Sequence, residues 1–552
     1  MKKTICIILS LIMMWCVCVP AFAENVGTTY YVDAENGSDS NSGTSENSPW
    51  KTLSAAAAKT YGAGDKILLK AGSVFDGAFT ANGSGTAENP VVFGTYGDLE
   101  AAGKPVIRSN DDVVLFTLGN VSGWTVENIE FTAPNGKGIY VSADGGRMTT
   151  DITVRNCTFH DIWYKQCPSY NGGHCPIMLT SSGAVSRLRN ITVSGCNIYD
   201  CAYGINMSGL TREWTPDIFV NPEESYNTNY VIEDTTLNNI LYDGVIICSI
   251  CGMIIRNCAL INTSLNDDYY TAPMWSHHAS NYVIENCEIA GAKNEKDGMA
   301  VDFDGWTTNA TYQYLYSHDN VRFIRNCCYD NYTKNKNCTV RYCLSVNDNK
   351  GENSMAQILT SGSLAYNEDE YAVTMDNFKF YNNTLINCSE IFCTALNNSI
   401  IANNIFVGNS VIDSMQFTRK SVGDNGEKVI REFNGVMTNN CFWKFGIPYM
   451  AKKSFMCNPK FVGTDETDKN SFMLSEKSRL ISKGIQAEDD MGERDFYGNP
   501  LTDTHNIGCY EGAGEKMVQR AGFFKVIGNF FGSLISCIAG FIINCNNRFW
   551  LF

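Results

Sequence analysis

The chain has 552 residues, 44% of them apolar and only 18% charged, the balance of a globular protein and not of a disordered one. Lys and Arg number 42 against 58 Asp and Glu, for a formal charge of −16. That leaves no basic footprint to neutralise phosphates, so nucleic acid is not an expected partner.

In chain order, Lys2 and Lys3 precede an apolar run at 5–19 and a small-residue site at Ala21, Phe22 and Ala23. This is the plan of a signal peptide over residues 1–23, and the run is too short for a comfortable membrane span. A secreted protein, extracellular or associated with the cell surface, is expected. The chain carries 23 cysteines, but disulfide frameworks belong to small domains that lack a core. Residues 24–512 are long enough to form one.

After an acidic loop at 33–44, which reads as a turn or as a Ca²⁺ loop, an alanine-rich stretch at 49–60 predicts a helix covering an open sheet end. From position 126 one phrase recurs: an aliphatic residue, a polar one, Asn, often Cys, a polar residue, then an apolar one. It reads VENIEF, VRNCTF, VSGCNI, IEDTTL, IRNCAL and IENCEI, with weaker copies later. The third position is Asn128, Asn156, Gly195, Asp234, Asn257, Asn286, Tyr314, Tyr342, Asn382, Asn403 and Asn440, at intervals of 21 to 40 residues. Apolar residues alternate with polar ones in short β-branched runs, so each repeat is a coil of strands with loops inserted at variable length.

Asn, Gly and Asp at the third position tolerate the left-handed backbone of a tight turn. Stacked at the ~4.8 Å strand spacing, their side chains are expected to form a ladder. The next position is Cys in six of eleven repeats and is expected to point inward as a small buried thiol. The phrase FIRNCC at 323–328 lies too close to Tyr314 to close a coil and is assigned to another sheet.

These repeats resemble the right-handed parallel β-helix of the pectate-lyase-like superfamily, over roughly residues 30–511. The opening YYVDAENGSDSNSGTSENSPWKTL and the closing DFYGNPLTDTHNIGCYE are similar to those of secreted bacterial members. The resemblance implies an all-β solenoid of about eleven or more coils with three sheets, and a carbohydrate-processing role.

The strand opening each coil is aligned by a Gly-plus-apolar phrase: YGINMSG, DGVIICS and DGMAVDFDG. If Met299, Val301 and Phe303 face the core, Asp302 and Asp304 face out, with Cα atoms ~6.7 Å apart. Such a pair suits an acid and base of glycoside cleavage, or ligation of Ca²⁺, or a plain solvated surface. Pairing PMWSHHAS with the preceding coil sets His277 opposite Cys248 and beside Asp302, with His278 as the one-residue alternative. His318, with Asp319, closes the next turn, although the parallel pair His160 and Asp161 suggests a structural repeat.

Trp163, Lys165, Arg212 and Trp214 in the long loops, with Trp275 and Trp306 on the adjoining strands, are the candidate sugar-binding residues. Lys165 and Arg212 are the cations suited to a lyase base. Cys248 and Cys251 have metal-ligand spacing but lack a second pair, and read as buried thiols. Cys167 and Cys175 share a loop and form a candidate disulfide. The tail at 513–552 is apolar over 523–543, with a helical stripe that suits an interfacial helix at a membrane surface or a cap on the last coil.

The reading that follows is a secreted, monomeric polysaccharide-processing enzyme that cleaves a glycoside at the face carrying Asp302 and Asp304. A Ca²⁺-dependent polysaccharide lyase and a non-catalytic surface scaffold are the alternatives. Acidic glycans are disfavoured, because the negative chain repels uronates unless Ca²⁺ bridges them.

Overall fold

The computed structural model describes residues 27–162, 174–183, 185–209, 227–328, 335–349, 360–363, 375–388, 391–393, 396–408, 415–416, 418–422 and 428–517. Short strands stack coil on coil in parallel register, as the repeats require. One sheet holds 13 strands, from Val74–Asp76 to Cys441–Trp443, and a second holds 24. The chain is an all-β parallel β-helix.

The larger sheet forms two faces. Strands Val245–Arg256 and Met274–Glu285 run through both, pairing by their first halves with the opening strands of neighbouring coils and by their second halves with the repeat strands. Three sheets were expected. Two are joined because the chain turns the corner on single left-handed residues, Ser249 (φ 59°) and His278 (φ 50°), without leaving the ladder.

At the predicted turn, ten of the eleven positions, Asn128 through Asn403, have φ between 50° and 60°. The eleventh is corrected: Asn439, not Asn440, is left-handed, so Asn440 moves to the inward position and Cys441 opens the next strand. The inward column therefore reads Ile129, Cys157, Cys196, Thr235, Cys258, Cys287, Leu315 and Cys343, then Asn383, Asn404 and Asn440, all buried.

The Asn half is tightly bonded. Asn404 Nδ2 donates to Phe380 O and Asn440 Oδ1, while its Oδ1 accepts from Asn383 N and Nδ2, all at 2.9–3.1 Å. The thiols of Cys157 and Cys196, and of Cys258 and Cys287, meet across coils as free thiols. A further ladder that the repeats did not reveal runs along another corner. There Asn190, Asn229, Asn309, Asn337 and Asn377 each donate to the Asn or Asp one coil back, at 2.8–3.2 Å.

The N-terminal helix is shorter than predicted, Leu53–Ala57, capped by the Thr52 hydroxyl accepting from Ala55 N. Trp50 still belongs to sheet, bridging Val32 and stacking on Tyr30 at 5.2 Å. Leu53 and Ala56 enter the same core as Phe79, Phe93 and Phe116. In the acidic loop, Asp33 accepts from the amides of Glu35 and Asn36, and Asp39 from Lys51 N, Thr52 N and Thr52 Oγ1. Both carboxylates are occupied by the fold, which favours the turn reading over a Ca²⁺ loop. Among the described residues no helix is long and apolar enough to cross a membrane, and the apolar stretch 523–543 lies outside them.

Candidate active site

Four consecutive strands build the site on the first face: Val245–Arg256, Met274–Glu285, Met299–Phe303 and Arg322–Cys328. FIRNCC thus belongs to this face and not to the turn column, as its spacing predicted. Met299, Val301 and Phe303 are fully buried, and Ile246, Trp275, Asp302 and Arg325 stand side by side across the four strands.

That register corrects one step of the sequence alignment. Cys248 pairs with His277 as expected, but Met274 pairs with Val301, two residues further along than the Gly-based alignment of DGMAVDFDG implies. The parity of the strand survives the shift while its lateral partners change. Trp275 is therefore the neighbour of Asp302, and the same register carries His277 to the level of Asp304.

Asp302 and Asp304 lie on one face of their strand, as the alternation predicts, but are only 3% and 4% exposed. The reading of solvated surface acids is therefore wrong. The two carboxyl groups interact directly, each disfavouring the ionisation of the other. Burial, and then the charge of Asp304, push the Asp302 pKa well above the carboxylate range, against the pull of Arg325.

Asp297, at the mouth of the strand, accepts a hydrogen bond from Arg325 Nη1, and its backbone carbonyl accepts one from Arg322 Nη1 at 2.5 Å. Burial raises its pKa too, with both guanidiniums opposing. On the other flank, Asp243 Oδ1 accepts from Trp275 Nε1 and Ala272 N, both at 2.9 Å, fixing the indole against the segment 269–272. Tyr269, Tyr270, Thr271, Ala272, Trp275, Asp297, Asp302 and Asp304 line a cavity of about 280 Å³.

His277 and His278 meet through their Nδ1 atoms at 3.0 Å. Burial, then the neighbouring His277, push the His278 pKa down to about 3, so it stays neutral. Trp306 is buried and stacks on His278 at 6.1 Å, so it backs the histidine pair and does not line the cavity.

His318 is not part of this cluster. It sits in the 13-stranded sheet, its ring nitrogens 3.0 Å from Asp319 Oδ2 and 3.1 Å from Glu288 Oε1. His160 repeats the arrangement with Asp161 and Glu130, so both are features of the repeat. Trp163, Lys165, Arg212 and Trp214 lie outside the described residues, as does Cys167. Cys175 is buried, its thiol bonding Ile177 O at 3.4 Å. Cys251 is buried too, whereas Cys248 is half-buried. Among the described residues no group of three or more His, Cys, Asp or Glu side chains is arranged to hold a metal ion.

Sequence reasoning missed Asp243, Asp297, Arg325 and Tyr270. The two Asp residues each open a DG phrase, and that repetition was a usable signal. Arg325 becomes visible only once FIRNCC is placed beside DGMAVDFDG.

No family model matches the chain. Over 435 aligned residues it is 26% identical to a lacto-N-biosidase of Bifidobacterium longum, an alignment covering 60% of this chain and 26% of that protein. The chain thus spans about a quarter of the length of that relative. Among solved structures, the GH136 lacto-N-biosidase of Eubacterium ramulus superposes with a TM-score of 0.50 at 19% identity, over 78% of this chain and 67% of that one. XylC, solved in complex with xylose, superposes with a TM-score of 0.52 at 10% identity, over 89% of this chain and 99% of that one. Strand register and these likenesses agree on the fold: the chain is a parallel β-helix protein.

Proposed function

We propose that this protein is a secreted glycoside hydrolase acting on an oligosaccharide or polysaccharide at the cavity that Asp297, Asp302 and Asp304 line. The observation that carries the reading is a buried carboxyl pair on one face of a sheet strand, lining a cavity together with Trp275. Cleavage of a glycosidic bond needs one carboxylic acid to protonate the leaving oxygen and one carboxylate to attack or to activate water. Burial supplies the acid, by holding a proton on the Asp302–Asp304 pair at pH values where a solvated Asp has lost it. Asp297, gripped by Arg325, is a further carboxyl at the same opening. The 26% identity to a lacto-N-biosidase supports a hydrolase acting on an oligosaccharide.

The test is hydrolysis of neutral and acidic oligosaccharides by the protein and by Asp297→Asn, Asp302→Asn and Asp304→Asn, following new reducing ends and unsaturated products. We expect reducing ends without unsaturated products, and loss of turnover of about 100-fold or more in at least one variant that keeps its melting midpoint. Full turnover in all three folded variants overturns the placement of the site and favours a non-catalytic scaffold.

A further inference from the structure

Among the described residues lining this cavity, Tyr270 is the one aromatic that faces solvent. Its side chain is 67% exposed, in a protein whose other large rings are mostly core. The segment carrying it is not loose: the fully buried Asn294 side chain donates to Asn266 O, Tyr269 O and Thr271 Oγ1 at 2.5, 2.7 and 2.9 Å. Ser264 Oγ bonds Thr271 O at 2.8 Å, Glu295 N bonds Asp267 Oδ1 and Lys296 Nζ bonds Asp268 O. Lys296 also lies 5.7 Å from the Tyr270 ring centre. The segment that carries the ring is therefore fixed at the rim, while the indole of Trp275, pinned by Asp243, is fixed inside.

We infer that Tyr270 and Trp275 form an aromatic wall that selects a neutral pyranose for this cavity. The inference rests on the hydrolase reading of the same site. The apolar C–H face of a pyranose packs on such rings, at reduced entropy cost because the indole and the segment carrying Tyr270 are already held. The charge around the cavity sets the class of sugar. Asp297, Asp302 and Asp304 line the cavity and Asp267 and Asp268 lie in the segment at its rim, against three cations, Arg322 and Arg325, both engaged by Asp297, and Lys296 at the rim. A uronate carboxylate entering there meets net negative charge in a poorly solvated space.

The experiment uses Asp304→Asn as a non-turning background. Titration calorimetry follows binding of xylotetraose, chitotetraose, a neutral galactose tetrasaccharide and tetragalacturonate, alone and with Tyr270→Ala or Tyr270→Phe added. In the active protein, KM and kcat are measured for the best neutral sugar. Tyr270→Ala is expected to weaken binding and raise KM about tenfold or more, with kcat within about threefold, and Tyr270→Phe to restore most of it. Unchanged binding in Tyr270→Ala, a preference for tetragalacturonate, or no binding of any of the four sugars overturns the inference. Tyr270-dependent binding by a protein that hydrolyses nothing overturns the hydrolase reading and leaves the wall standing. Hydrolysis with an unchanged KM in Tyr270→Ala does the reverse.

Discussion

Replacing Asp348 by Asn tests the physics on which the site rests, at a position remote from the chemistry. Asp348 is 2% exposed and accepts four hydrogen bonds. Ser317 Oγ and Ser345 Oγ donate at 2.6 Å, and Asn320 N and Nδ2 at 3.1 and 2.9 Å. Burial nevertheless pushes its pKa up to about 6. A carboxyl whose folded pKa exceeds its unfolded value binds its proton more tightly when folded, so its stabilising contribution is complete below about pH 4 and is lost as pH rises through 6. A rise of roughly two units corresponds to roughly 3 kcal/mol, since one unit is about 1.4 kcal/mol. Asn keeps the shape: its carbonyl takes the two Asn320 donors, and its amide donates to serine hydroxyls that turn to accept. Asp348→Asn should match the parent at pH 4 and exceed its unfolding free energy by roughly 3 kcal/mol at pH 8. Urea unfolding at pH 4, 6 and 8 reads this, with unchanged m-values as the control. A difference independent of pH, or a loss of stability at pH 8, refutes the argument.

Three further outcomes are expected. Asn404→Ala strands Asn383 N and Phe380 O without their partner and should cost roughly 2–4 kcal/mol, whereas Cys258→Ala, which loses a thiol bond to Arg256 O, should cost about 1 kcal/mol. Equal costs in chemical unfolding would show that the inward column is not held by its amides. Alkylation under denaturing conditions, read by mass spectrometry, should find Cys157, Cys196, Cys258 and Cys287 reduced, and disulfides among them would refute the stacked-thiol column. Turnover should survive chelation if the Asp302–Asp304 pair works by proton transfer; loss with chelator and recovery with Ca²⁺ would make the carboxyls ligands and favour a lyase.

The fold was legible because a β-helix repeats its turn chemistry once per coil. Asn156, Asn257 and Asn286 announce left-handed corners directly, and even Tyr314 and Tyr342 could be placed by interval alone. The ladder through Asn190, Asn229, Asn309 and Asn337 escaped notice because its flanking residues follow no common phrase. The site was legible in part: alternation put Asp302 and Asp304 on one side, since a period of two survives a two-residue misalignment. The same misalignment changes every lateral neighbour, so Trp275 was not placed beside Asp302, and Arg325 not recognised as its other flank. Burial of the pair depends on what segment 269–272 does over the face, which no pattern within the strand encodes.

The pair is asymmetric across the sheet, and that asymmetry yields a test of its proton chemistry. On one side Asp302 abuts the indole of Trp275, which offers its carboxyl no charge; on the other it abuts Arg325, which lowers its pKa and also holds Asp297. Removing the guanidinium charge takes away the main stabilisation of ionised carboxylate here and leaves burial unopposed. Arg325→Gln should therefore raise the apparent pKa on the acidic limb of the kcat profile, so that the enzyme needs a higher pH to ionise its working carboxylate. The alkaline limb should rise as well if the carboxyl that burial keeps protonated is the acid. Because Arg325 also braces the strand mouth through Asp297, the profile is to be read only from variant protein that keeps the parental melting midpoint, with Arg325→Lys as the charge-retaining control. A folded Arg325→Gln enzyme whose acidic limb stays where the parent's lies would show that the carboxyls seen here are not the groups that titrate in catalysis.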